Sequence, residues 1–175
     1  MARDRGLDAQ LQVSGLTETL RAFNRYGKDA NKELRQAAGG IADELVPALI
    51  LAANAASPQA ALVAPSIKRR ADRVPKIVAG GTTRVKRSSG GSTRSFKTRP
   101  KKLSNKVTAG DILFGSEFGG GRRPTTQQFP PWVGRRGYWF YPTLRRHLPR
   151  LRKAYIAALD DLATRWARGG DEPGG

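Results

Sequence analysis

The chain has 175 residues, no cysteine, one histidine and a formal net charge of +18. That excludes a disulfide framework, thiolate chemistry and any metal cluster built from several histidines or cysteines. The length suits one domain, read as residues 1–168 with a polar tail at 169–175, and a hydrophobic share of 38% permits a modest core.

Residues 1–8 are charged and offer no apolar signal-peptide core. The longest apolar-leaning stretch, 45–56, contains Pro47 and falls short of the ~20 residues a bilayer span needs, so a soluble chain with no membrane partner is expected. The charge is unevenly placed. Residues 1–65 are balanced, whereas residues 66–106 hold fourteen basic side chains against Asp72 alone. Charge lumped this way points to a polyanion, either nucleic acid or an acidic protein surface, and its bland alternative is a solvated basic loop.

In chain order, residues 10–14 alternate Leu11 and Val13 with polar neighbours and predict a short strand. Gly15 breaks it, and Thr17 suits a helix N-cap with Glu18 in the first turn. Leu16, Leu20, Phe23, Gly27, Ala30 and Leu34 recur at helical spacing; after a weak point at Gly39-Gly40 the stripe resumes with Ile41, Leu45, Leu49 and Ala52. This long helical region is expected to kink or restart at Pro47 and to end near Ser57-Pro58.

Residues 65–68 and 75–79 predict short strands, Gly80-Gly81 a turn, and 82–86 a return strand. Residues 82–106 read as a flexible basic loop, because their Gly/Ser-rich run cannot support a core. Residues 111–115 predict a strand that ends in a glycine corner. There Glu117 is expected at the rim beside an arginine, and Phe118 is expected to turn inward between the sheet and the last helix. A proline- and aromatic-rich loop follows. Pro142 then suits the start of a helix carrying Leu144, Leu148, Leu151, Tyr155, Leu159, Leu162 and Trp166 on one face, bent or begun at Pro149 and stopped at Gly169-Gly170. The economical arrangement is α+β: a long N-terminal helix and a C-terminal helix on a small antiparallel sheet, with an extended basic loop.

Three motifs in order resemble the tail-completion or head–tail joining (neck) family of long-tailed bacteriophages. Gly15-Leu16-Thr17-Glu18-Thr19-Leu20 is similar to the Gly-Leu-x-x-Leu that leads such chains from a strand into a long helix. Glu117-Phe118-Gly119 is similar to their Glu-Phe-Gly corner. Tyr138-Trp139-Phe140-Tyr141-Pro142-Thr143-Leu144 is similar to the Pro-Phe-x-x-Pro-Ala-Leu stretch entering the last helix. A middle motif survives only as Ala64-Pro65-Ser66-Ile67, without its Thr-Gly. The resemblance makes Gly15, Leu16, Glu117, Phe118, Gly119, Tyr141 and Pro142 the structural motif residues. It implies a virion protein assembled in the host cytoplasm, a homo-oligomeric, six-fold ring that touches neck and tail-tube proteins, with packaged DNA as a further candidate contact.

Catalytic readings find little. His147 stands alone, Asp72, Asp111 and Glu117 show no paired-carboxylate spacing, and Gly119-Gly120-Gly121 lacks the Lys-Ser/Thr ending of a phosphate loop. The expectation is a non-enzyme without metal or cofactor. For binding, Phe129, Trp132, Arg135 and Arg136 are the candidate interface, since exposed aromatics and arginines concentrate at interfaces. Trp139, Tyr141 and Trp166 are expected to stay within the subunit. Lys86, Arg87, Arg94, Lys97, Arg99, Lys101 and Lys102 are the candidate polyanion contacts. A basic nucleic-acid-binding protein of ribosomal or nucleoid type is the alternative reading; it accounts for the charge, but Phe96 is the only aromatic in that segment available for stacking.

Overall fold

A computed structural model of the chain describes residues 6–11, 16–85, 107–120 and 129–169. The elements are β1 (Gly6–Gln10), α1 (Leu16–Arg25), α2 (Gly27–Ala56), α3 (Pro58–Val63), β2 (Lys68–Arg70), β3 (Lys76–Gly80), α4 (Ala109–Phe118) and α5 (Phe140–Gly169). The fold is α+β. β3 is the central strand of a three-stranded antiparallel sheet in the order β1-β3-β2. Gly15, Lys86, Arg87, Arg94, Lys97, Arg99, Lys101 and Lys102 lie outside the described residues, as do most of the basic loop and the tail.

The first strand lies at Gly6–Gln10, earlier than the expected 10–14, of which 12–14 fall outside the described residues; Leu7 and Leu11 are buried while Asp8 and Gln10 face water. Ala9 and Leu7 stand opposite Ile77 and Ala79 of β3, which puts the apolar residues of both strands on one face.

The long helical region divides at Tyr26-Gly27 rather than at Pro47. Gly27 takes φ +91°, a conformation that glycine tolerates and a continuing helix does not, so its place in the stripe is also a corner. From there α2 runs unbroken through Gly39-Gly40 and Pro47. Gly39 has a specific reason to lack a side chain: a Cβ there would overlap the Arg69 guanidinium, which crosses the helix to pair with Asp43 at 2.9 Å. By length and composition α2 could cross a membrane, with a mean hydropathy of 1.2 over an 18-residue window. Here its stripe of Ala30, Leu34, Ala38, Ile41, Leu45, Leu49 and Ala53 is buried in the fold.

α3 was not foreseen. Ser57-Pro58 ends α2 and also begins a new helix, because the Ser57 hydroxyl accepts the Ala60 N–H at 3.1 Å and Pro58 fills the first turn. The expected strand at 65–68 is a 3-10 turn (Ala64–Ser66) followed by β2. Ser66 explains the difference: its buried hydroxyl donates to the Val63 carbonyl at 2.6 Å and accepts the Gly80 N–H at 2.7 Å. The expected return strand at 82–86 is, over its described part, only an isolated bridge from Arg84 to Thr108; the backbone there bonds to residues 107–110 instead of joining the sheet.

Residues 111–115 form no strand. They belong to α4, whose start is set by Thr108 and Asp111: the Asp111 carboxylate accepts the Thr108 N–H at 3.0 Å and its hydroxyl at 2.8 Å. The run Ile112-Leu113-Phe114 is apolar because Ile112 and Leu113 face the core while Phe114 stacks on Phe118 at the surface, which removes the periodicity that marks a surface helix.

α5 begins at Phe140, two residues before Pro142, and continues through Pro149. Its inner face buries Phe140, Leu151, Tyr155, Leu159 and Leu162, with Leu144 and Trp166 half-buried and Leu148 exposed. α5 runs antiparallel to α2: Arg150 meets Glu44 at 3.2 Å, and fifteen residues later Arg165 and Trp166 reach Glu33 near the start of α2. The Tyr155 hydroxyl donates to the Arg73 carbonyl at 2.6 Å, and burial pushes its phenol pKa up to about 12, opposed by the nearby Arg73 charge.

Two leucines of α2 test its phase. Leu49 is fully buried and Leu51 is 71% exposed. Leu49→Ala should cost about 2–5 kcal/mol in chemical denaturation, whereas Leu51→Ala should stay within about 0.5 kcal/mol.

Candidate interaction site

The C-terminal end of α4, the segment 129–138 and the first turn of α5 form one unit around Glu117. Its side chain is fully buried, not at the rim, and among the described residues it makes no ion pair with an arginine. Oε2 accepts the backbone N–H of Trp139 at 3.1 Å and of Phe140 at 2.8 Å; Oε1 accepts that of Tyr141 at 3.0 Å. The first turn of a helix leaves such N–H groups without partners, and its dipole favours a negative charge there. Pro142 brings no N–H, so the carboxylate and the proline together account for the donors of this turn.

Two glycines make the approach possible. Gly137 takes φ +69°, and a Cβ there would overlap Glu117 Oε1; Gly119 takes φ +85°, and a Cβ there would overlap the Pro131 carbonyl. Burial raises the Glu117 pKa above its ordinary value of 4.5, against the backbone N–H groups of Phe140, Tyr141 and Trp139, which lower it.

Backbone bonds hold the segment 129–138 against α4. The Gly120 N–H donates to the Pro130 carbonyl, Val133 to Phe118 and Tyr138 to Glu117, all at 2.8–2.9 Å, and the Tyr138 hydroxyl donates to the Pro131 carbonyl at 2.8 Å. The last carbonyls of α4 are thereby satisfied by the loop that leaves it.

On this frame sits a set of aromatic rings. Phe118 is at the centre, with ring centroids 6.2 Å from Phe114, 6.1 Å from Trp132 and 5.8 Å from Tyr141. It does not turn inward between sheet and α5 as expected. As the last residue of α4 it is half-buried, and it stacks across the surface between α4 and the start of α5. Trp132 is 67% exposed and Phe114 45% exposed. Trp139 is fully buried, while Tyr141 and Trp166 are half-buried. Phe129 is drawn into the subunit, its ring lying over Gly115 where a Cβ would collide with it. Arg135 and Arg136 are exposed in a 3-10 turn (Gly134–Arg136), whose last carbonyl accepts from the Arg145 guanidinium. The structure thus brings Trp132, Phe118 and Tyr141 together and adds Phe114, which the strand reading had hidden; the Thr-x-x-Asp pattern at 108–111 was the signal that could have placed it on a helix.

Glu117 is committed to backbone N–H groups, and among the described residues no group of three or more histidine, cysteine, aspartate or glutamate side chains could hold a metal. What the arrangement can do is bind, since rings already held in place lose little further freedom when covered. Comparison with protein-family models, with curated proteins and with solved structures finds no match.

Glu117→Ala leaves three buried backbone N–H groups without acceptors and should cost at least about 3 kcal/mol; Gly137→Ala should be similarly disruptive, read by thermal unfolding. The pH dependence has a definite sign. A carboxyl with a raised pKa binds its proton more tightly in the folded than in the unfolded chain, so its contribution is fullest below pH 4.5 and declines as pH rises through the folded value. The stability advantage of the natural chain over Glu117→Gln should therefore shrink as pH rises above the ordinary carboxyl value of 4.5, and a widening gap would refute this.

Proposed function

We propose that this chain is a structural subunit of the neck of a long-tailed bacteriophage, forming a ring, six-fold to match a tail, that completes the tail and joins it to the head. The observation that carries this reading is Trp132: a large apolar side chain left 67% exposed on a segment fixed by backbone hydrogen bonds. A closed ring needs two different patches that fit one another, and a rigid aromatic projection rimmed by Arg135 and Arg136 suits one of them. Support also comes from the motifs behind the resemblance. Glu-Phe-Gly and Tyr-Pro, far apart in sequence, are two halves of one device here, joined by the bond from Tyr141 N–H to Glu117.

Contact with DNA or an acidic neighbour belongs to the same proposal. Among the described basic residues of 66–106, Arg69 and Lys76 are paired with Asp43 and Asp8, and Arg73 reaches Asn24. Lys68 and Arg70 are exposed on β2 and make no ion pair among the described residues.

Trp132→Ala should leave a folded subunit, with a stability change below about 1 kcal/mol, yet one that sediments as a monomer and no longer joins heads to tails. An unfolded variant, or rings of unchanged mass, would move the interface elsewhere. DNA binding should lack sequence preference, and replacing Lys68 and Arg70 by alanine should reduce the slope of log affinity against log salt by about 2. An unchanged slope would remove β2 from the contact.

A further inference from the structure

The two most exposed large apolar side chains among the described residues are Leu51, at 71%, and Trp132, at 67%. They lie on different elements, Leu51 on α2 and Trp132 on the segment between α4 and α5. Leu51 stands within the longest uncharged run of the chain: residues 45–67 hold no acidic or basic side chain, in a sequence that is 26% charged. The earlier part of α2 is built otherwise, with seven charged residues from Lys28 to Glu44. A helix against solvent keeps charged side chains on its outer face, and one uncharged all round is built to be covered.

Burial inside the subunit does not account for the run. Leu45, Leu49 and Ala53 are buried, but Pro47, Leu51 and Ala55 form an exposed row at four-residue spacing on the outer side of α2. Pro58 and Leu62 of α3 are exposed as well. The charged side chains that precede the row, Asp43 and Glu44, are acidic, and Arg69 and Arg150 neutralise them at 2.9 Å and 3.2 Å. The row therefore starts at a neutralised margin and carries no positive charge of its own.

Charge decides which surface of a second copy can receive Trp132. Arg135 and Arg136 are exposed close behind it in the chain and travel with it into any contact. Like charges that face one another across an interface oppose association. Of the other exposed large apolar side chains, Phe114 and Tyr138 belong to the aromatic set itself. Leu148 and Ile156 share a hollow with Arg152 and Lys153, and Tyr26 follows Arg25 with Lys28 two residues on. Both places meet two incoming arginines with positive charge. The row at Leu51 does not.

We propose that the outer row of α2 is the receiving patch between copies of this chain: Trp132 of one copy docks against Pro47, Leu51 and Ala55 of the next. The inference rests on the ring reading above and names the second of its two unlike patches. A closed ring requires a head-to-tail contact of this kind. The row paired with itself would instead give a dimer and leave Trp132 uncovered. Trp132 supplies a projection held by its backbone bonds, and the short side chains of Pro47 and Ala55 leave Leu51 open to an indole ring.

The chain has no cysteine, so introduced cysteines report contacts between copies without background. Full-length Arg135→Cys, which spares Trp132, is mixed with Ala55→Cys, which spares Leu51, and treated with a short bismaleimide cross-linker. Cross-linked dimer should form in the mixture about tenfold or more above either variant alone, and a mixture of Arg135→Cys with Ile156→Cys should stay at the level of the single variants. Leu51→Arg, at an exposed position, should keep the natural unfolding curve and weaken self-association about tenfold or more, and Leu51→Glu should weaken it less, because Arg135 and Arg136 face it. A natural chain that sediments as a monomer would overturn this inference and the ring reading together. A natural oligomer that joins 135 to 156, or 55 to 55, or gives no 135-to-55 product, would overturn this inference alone. So would a folded Leu51→Arg variant that assembles like the natural chain or no worse than Leu51→Glu.

Discussion

One buried carboxylate organises the C-terminal third of the molecule. Burying a charge is costly unless its partners are supplied, and Glu117 finds them in the unsatisfied N–H groups of a helix start. The exchange is mutual: α5 gains an N-terminal cap from a residue distant in sequence, and Glu117 gains a site in which its oxygens are bonded. Everything around it follows as a condition on that geometry. Gly137 must lack a side chain, Pro142 must lack an N–H, and the loop carbonyls and amides must dock on the end of α4. The aromatic rings lie on top of this arrangement and inherit its rigidity.

The rest of the fold depends on broader and less specific contacts. α2 and α5 meet through long apolar stripes, and their ion pairs, Arg150 with Glu44 and Arg165 with Glu33, are exposed and each worth little. More specific is Arg69, whose passage over Gly39 to Asp43 links β2 to the middle of α2 and lies where a side chain at Gly39 would project; Gly40 has no such neighbour.

What could be read from the sequence was what depends on periodicity. The stripe from Leu144 to Trp166, exposed Leu148 apart, and the α+β class follow from spacing alone, whereas the first strand was placed too late in the chain. Residues 111–115 did not, because Ile112 and Leu113 face the core while Phe114 faces the aromatic set, and a run apolar on both sides has no period. Nor could Glu117 be read correctly: a carboxylate beside glycines suggests a rim until the N–H groups that need it, more than twenty residues away, are brought beside it in space. Trp132 was legible as exposed for a simple reason, since its proline neighbours keep it out of any sheet. The place of β1 at the end of the order β1-β3-β2 was not, because strand order is not written in the spacing of residues.

Glu117 also sets an order of events. Its partners lie on the far side of a long loop, so the cap cannot form until α4 and the start of α5 have both arrived, and the loop hydrogen bonds depend on the same meeting. A chain still missing that contact has Phe118 on α4, Tyr141 on α5 and Trp132 on the loop between them, without the bonds that hold the three rings together. The aromatic surface therefore comes into being only with the completed subunit. Any partner that reads it tests, in the same contact, whether the chain has finished folding.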